Sequence, residues 1–250
     1  MSSRLFAVAA LALLLLSGCK DREAEAAAQA AAIAAQAAAI AAANEQAAAE
    51  AEQAFDAAVA DGNWALAKAQ GDIVLARWPD TEAAARLRPR YEEARARGAA
   101  ENEARRLEAL WTYQTIAVKG GQQVSAAIHA KEPVDVDGSG PGPVQLIFRD
   151  HPEWGRSSYL VLEAGDFARA CYRGCRVEVT VDDQAPRRMA ANRPDTDEAI
   201  AMFIDDEKAL WRLLRDARRL RIAFPTRDAG TQAVEFEVGG LDRSKMPRWD

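Results

Sequence analysis

The spacing of apolar positions changes character along this chain, and each change marks a boundary. Residues 5–16 form an unbroken apolar run, followed by Ser17, Gly18 and Cys19. Residues 23–60 are dominated by alanine, interrupted by Gln, Glu and a few Ile, with neither Gly nor Pro before Gly62. Alanine gives up no side-chain entropy on becoming helical, so this stretch predicts one long helix. Within it Ile33, Ile40, Ala47 and Ala54 recur at a spacing of seven and share a seam. The seam leaves two readings open: a close-packed coiled coil that makes a homo-oligomer, or a solvated spacer.

Residues 61–110 keep a helical period. Gly62-Asn63-Trp64 breaks one helix and starts the next, whose face carries Trp64, Ala67, Gly71, Val74, Leu75 and Trp78 before Pro79 stops it. A following helix starts near Thr81, where Pro89 predicts a kink or a late start. At Trp111 the period falls to two. From there about eight short strands are expected, at residues 111–118, 123–130, 144–148, 158–162, 176–181, 200–204, 220–224 and 233–238. One helix interrupts them at residues 206–218, with Leu210, Leu213, Leu214 and Ala217 as its apolar stripe and Arg212, Arg215 and Arg219 mostly opposite. The expected fold class is α+β: a long alanine-rich helix and a helical hairpin, then an antiparallel β-sandwich-like or barrel-like domain with one helix.

The run at residues 5–16 would rise only roughly 18 Å as a helix, too short to span a bilayer core. With Arg4 ahead and small residues behind, it reads as a secretory signal. Its ending, Leu16-Ser17-Gly18-Cys19, resembles the lipobox of bacterial lipoproteins. That resemblance implies cleavage before Cys19, acylation of its thiol, and attachment of the mature chain to a lipid bilayer facing the periplasm. Lys20 rather than Asp follows the cysteine, which in the same family tilts sorting toward the outer membrane. Four segments follow: residues 1–18 signal peptide, 19–60 lipidated cysteine and stalk, 61–110 hairpin, 111–250 β-rich domain. The other two cysteines, Cys171 and Cys175, lie close together and read as a structural disulfide suited to an oxidising compartment.

Two weaker resemblances concern the remaining segments. Gly62, Trp64, Ala67, Leu75 and Pro79, within residues 46–97, resemble part of a tetratricopeptide-type helical repeat; a generic helical hairpin accounts for them equally well. The order Tyr159-Leu160, Phe167, Cys171, Cys175, Ile204, a Leu-rich helix, then Phe236 and Gly240-Leu241 is similar to small periplasmic β-domains of secretion- and invasion-associated accessory proteins, the TagO-like and IalB-like groups. That likeness implies a binding or accessory role rather than a reaction.

A formal net charge of −6 argues against a nucleic-acid partner, which needs a concentrated basic surface. Candidate chemistry is sparse. His129 falls on an expected strand without a carboxylate or Ser at catalytic spacing. Asp150-His151-Pro152-Glu153 groups metal-ligating types in one segment, but Pro152 forces an extended turn and metal sites draw on several segments. Asp135 and Asp137 with Gly138 match only the opening of a calcium loop, and the closing Glu is missing. Asp182-Asp183 and Asp205-Asp206 read as turns or a helix cap. No nucleophile elbow or phosphate loop is present, so neither enzyme activity, metal nor cofactor is expected. The sequence therefore predicts an accessory lipoprotein presenting its β-rich domain to an envelope protein partner. The alternative is an inhibitor or immunity-type lipoprotein acting on a periplasmic hydrolase.

Overall fold

A computed structural model describes residues 5–194 and 200–249, with side chains described from Arg22 onward in the N-terminal helix. The chain divides into two compact units, residues 1–101 and 102–250.

The first unit is helical. Helix α1 covers Leu5–Ala60 and α2 covers Trp64–Arg77, while α3, Glu82–Ala109, begins here and continues into the second unit. Along residues 22–44 of α1 every side chain is exposed, including Ile33 and Ile40. The segment Arg22–Ala60 is long and apolar enough, by length and composition, to cross a membrane. Full burial begins at Ala48, and Phe55, Ala58, Ala67, Val74, Ala84, Leu87 and Ala94 close a small core. The predicted face of α2 is largely what is buried: Ala67, Gly71 and Val74. Gly71 is needed there because a Cβ would lie 2.5 Å from the Tyr91 ring.

Helix ends in this unit are capped by residues from neighbouring helices as well as by local ones. Asn63 Oδ1 accepts the Leu66 N–H at the start of α2, and Glu101 accepts the Ala65 N–H. The Glu45 carboxylate accepts the N–H groups of both Glu82 and Ala83 at the start of α3, at 2.8 and 3.0 Å. Pro89 lies inside α3, which starts at Glu82, so the late start does not occur. Its missing N–H leaves the Ala85 carbonyl without a helical donor. Buried Glu52 receives Arg86 and Arg90 across the helix pair, both at 2.7 Å.

The Tyr91 hydroxyl donates to Asp72 beside Lys68. Desolvation, then this hydrogen bond, pushes the phenol up to about 12. Burial alone would raise the Asp72 carboxyl, but hydrogen bonds from Lys68 and Tyr91 hold it below the usual carboxylate range. A raised folded-state pKa contributes stability below the unfolded value near 10 and loses it as pH climbs toward 12. Helical ellipticity of the parent is therefore expected to soften between about pH 10 and 12, and a Tyr91→Phe variant is expected to lose that alkaline step. A pH titration of thermal melts of the two proteins checks it.

Among the described residues the second unit holds nine strands in one antiparallel sheet, ordered β1-β2-β3-β4-β7-β6-β5-β8-β9. These are β1 Trp111–Val118, β2 Gly121–His129, β3 Val144–His151, β4 Gly155–Leu162, β5 Cys175–Val181, β6 Arg187–Asn192, β7 Ile200–Ile204, β8 Leu220–Pro225 and β9 Thr231–Phe236. Helix α4, Glu207–Leu213, lies between β7 and β8 in sequence. The α+β class and the antiparallel pairing are as expected, and of the sandwich-like and barrel-like alternatives the strands take the single continuous sheet.

Period-two alternation puts Leu146 and Phe148 of β3, Leu160 and Leu162 of β4, Val177 and Val179 of β5, and Leu220, Ile222 and Phe224 of β8 inward. Residues from both edge strands, Trp111 of β1 and Val234 and Phe236 of β9, belong to the same core cluster. A flat sheet of this width could not bring its edges to one core, so the sheet is rolled. The Lys131 N–H donates to the Glu235 carbonyl of β9, tying the segment after β2 to the far edge at 2.8 Å. Leu210, Trp211 and Leu214 from the α4 region, with Trp249, fill the same core around Phe148.

Two expectations change here. Strand β6 was not predicted, and α4 ends at Leu213 rather than 218. At that end the Asp182 carboxylate accepts the N–H groups of Arg218 and Arg219, at 3.1 and 2.8 Å, fixing them outside a helix.

Candidate functional site

The sequence candidates go to structural duties. Cys171 and Cys175 form a disulfide across a tight 3-10 turn, with Cα atoms 4.6 Å apart. The Cys171 carbonyl accepts the Arg193 N–H at 3.0 Å, so the turn is tied to the end of β6. Arg193 in turn bonds Asp166 at 2.6 Å in a nearly buried pair. A cross-link closing so short a loop restricts the unfolded chain by about 2 kcal/mol. Cys171→Ser with Cys175→Ser is expected to lower the unfolding free energy of the β-rich unit by about that amount, measurable by urea titration under oxidising conditions. Cys19 lies outside the residues whose side chains are described.

His129 is exposed at the end of β2, opposite Gln145. His151 is buried, and its Nδ1 accepts the N–H groups of Glu153 and Trp154 at 3.1 and 3.2 Å. Its ring also stacks on Trp154, 3.9 Å between centroids. Asp150 is held by both forks of Arg248 at 2.5 Å. The histidine thus shapes the β3–β4 turn and the aspartate fastens the C-terminal segment. Asp135 Oδ1 accepts the N–H groups of Asp137 and Gly138, and Asp137 Oδ1 that of Ser139, so these carboxylates close their own turn. Asp206 Oδ1 caps α4 through the Ala209 N–H at 2.9 Å. Among the described residues no group of three or more His, Cys, Asp or Glu could hold a metal ion.

What remains is an arginine-lined cleft. Between β6 and α4 a space of about 460 Å³ is lined by Arg187, Arg188, Met189, Ala190, Asp206, Ala209, Arg212 and Leu213. An adjoining hollow of about 350 Å³ shares Arg187, Arg212 and Leu213 and adds Arg215, Asp182 and Asp216. The β5–β6 turn delivers Arg187 and Arg188 to one wall, and the capped α4 presents Arg212 on the other. All four arginines are exposed. Some arginines elsewhere are neutralised directly: Arg86 and Arg90 on Glu52, Arg106 on Glu237, Arg227 on Asp166, Arg248 on Asp150. The Arg106 pair holds the Glu237 carboxyl below its ordinary range, chiefly through the hydrogen bond.

Sequence reading singled out Arg212 and Arg215 as a charged face but not Arg187 and Arg188. The available signal was the Pro186-Arg187-Arg188 step after a turn; the sheet order that sets it against α4 was not readable. No protein-family model matches this chain, and no curated protein or solved structure matches it.

Proposed function

We propose that the protein is a lipid-anchored envelope protein whose acylated Cys19 holds it to a bilayer, probing the periplasm with a β-rich binding domain. The observation that carries this reading is the arrangement of α1. Residues 22–44 stand exposed on all sides, with packing only from residue 45 onward, which suits a spacer between an anchor and folded units. The lipobox-like Leu16-Ser17-Gly18-Cys19 supplies the anchor, and the adjacent alanine helix supplies reach of roughly 1.5 Å per residue. Confinement to a membrane layer raises the effective concentration of the domain toward an envelope protein partner. The role is accessory, and the outer membrane is the compartment favoured by Lys20.

A second reading, in which part of Arg22–Ala60 itself spans the bilayer, draws on the apolar character of that helix. Its alanine methyls bury little area, and Gln29 and Gln36 would carry their amides into hydrocarbon, so the lipid anchor is preferred. Fractionation separates the two. Under the lipid reading the parent sediments with membranes, and Cys19→Ala releases the mature chain or leaves an unprocessed precursor. Retention of a processed Cys19→Ala chain through alkaline extraction would support the spanning helix instead.

A further inference from the structure

We propose that the cleft between β6 and α4 binds a phosphoryl group, with Arg187, Arg188 and Arg212 as its ligands. The inference is independent of the lipid anchor. Six carboxylates are in excess over the whole chain, yet this cleft gathers arginines on both walls. Among the described residues these three and Arg215 make no ion pair and no side-chain hydrogen bond, although Asp206, Asp182, Asp216 and, opposite Arg188 in register, Glu178 all face the region. Asp206 and Asp182 have an oxygen committed to backbone N–H groups of α4 and of residues 218 and 219.

Like charges gathered on one cleft repel, and the repulsion is relieved by a bound anion. The cleft has the volume of a small-ligand site. Met189, Ala190, Ala209 and Leu213 give it apolar walls, which strengthen the field of the guanidinium groups around it. Three cations line the cleft against one carboxylate, Asp206, while Glu178 beside Arg188 and Asp182 and Asp216 in the adjoining hollow reduce the positive excess without abolishing the cluster of guanidinium groups. A phosphoryl group offers several oxygens to more than one guanidinium at once, which a single carboxylate does not. Guanidinium forks match phosphate oxygens with paired N–H donors. The phosphoryl group can belong to a soluble phosphate compound or to the headgroup of an anionic lipid.

The test uses the full chain in nonionic micelles, followed by thermal melting and titration calorimetry. Inorganic phosphate and pyrophosphate probe the soluble source; micelles doped with phosphatidic acid, against phosphatidylcholine, probe the lipid source. At constant ionic strength, either phosphate probe or phosphatidic acid is expected to raise the melting temperature above its chloride or phosphatidylcholine control. Removing one charged fork should weaken the responding probe about tenfold, and Arg188→Gln with Arg212→Gln should abolish the response. Arg221→Gln, outside the cleft on β8, should leave it intact. A response to phosphatidic acid alone assigns the lipid source, and a response to the soluble probes assigns the other. No response to any probe, a response kept by the double variant, or a glutamate-rich peptide binding where phosphate fails would overturn the assignment.

Discussion

Gly240→Ala is expected to destabilise the β-rich unit by about 3 kcal/mol, at the upper end for overpacking, because the obstructing atoms are backbone. A Cβ at Gly240 would sit 2.2 Å from the Leu107 carbonyl carbon and 2.3 Å from the Glu108 nitrogen. Flexible side chains can swing away from such a contact, but a helical backbone cannot. Gly240 ends the 3-10 turn Val238–Gly240 after β9, where the chain is drawn against the last turn of α3. The same junction is tightened by Arg106 on Glu237 at 2.8 Å and by the Asp242 N–H donating to the Tyr113 hydroxyl at 2.7 Å. The neighbouring Gly239 is a control. Its Cβ would meet nothing closer than 3.4 Å, at the Leu107 side chain, so Gly239→Ala should cost much less. Urea unfolding of both variants, followed by tryptophan fluorescence, checks the difference.

Phe148→Ala is expected to cost about 4 kcal/mol, the range for truncating a fully buried aromatic ring. Phe148 is fully buried on β3 and touches Trp111, Trp211 and Trp249, with ring centroids 6.4, 5.1 and 5.4 Å away. Those three residues come from β1, α4 and the C-terminal segment, so one ring joins parts of the chain far apart in sequence. The indole nitrogens of Trp111 and Trp249 are buried without a hydrogen-bond partner among the described residues, a desolvation cost in the folded state that leaves this cluster dependent on ring packing. Phe148→Leu keeps most of the volume and should retain more than half of the lost stability. The near-ultraviolet circular dichroism band of the tryptophans should collapse in the alanine variant along with the melting temperature.

Strand positions were legible wherever burial alternates. Leu146 and Phe148, or Leu220, Ile222 and Phe224, announce their faces directly, and their strands lie where expected. Strand β6 was hidden because Arg187-Arg188-Met189-Ala190-Ala191-Asn192 has no β-branched or aromatic residue. It is a strand because β5 and β7 offer it hydrogen-bonding edges on both sides, a tertiary fact. The over-long α4 has a related origin. Leu214 and Ala217 continue the helical stripe and are buried, yet the Asp182 carboxylate, from the β5–β6 turn, claims the backbone at Arg218 and Arg219. The candidate cleft was half legible for the same reason. Arg212 and Arg215 stood out as a charged face, but only the place of β6 in the sheet brings Arg187 and Arg188 to the other wall.

Mass spectrometry of the N-terminal peptide of the mature, membrane-extracted protein tests the proposed anchoring most directly. The account predicts a chain beginning at Cys19 and heavier by a diacylglyceryl group, with or without a further amide-linked acyl chain. A chain that begins elsewhere, or that carries Cys19 as a free thiol, would contradict it.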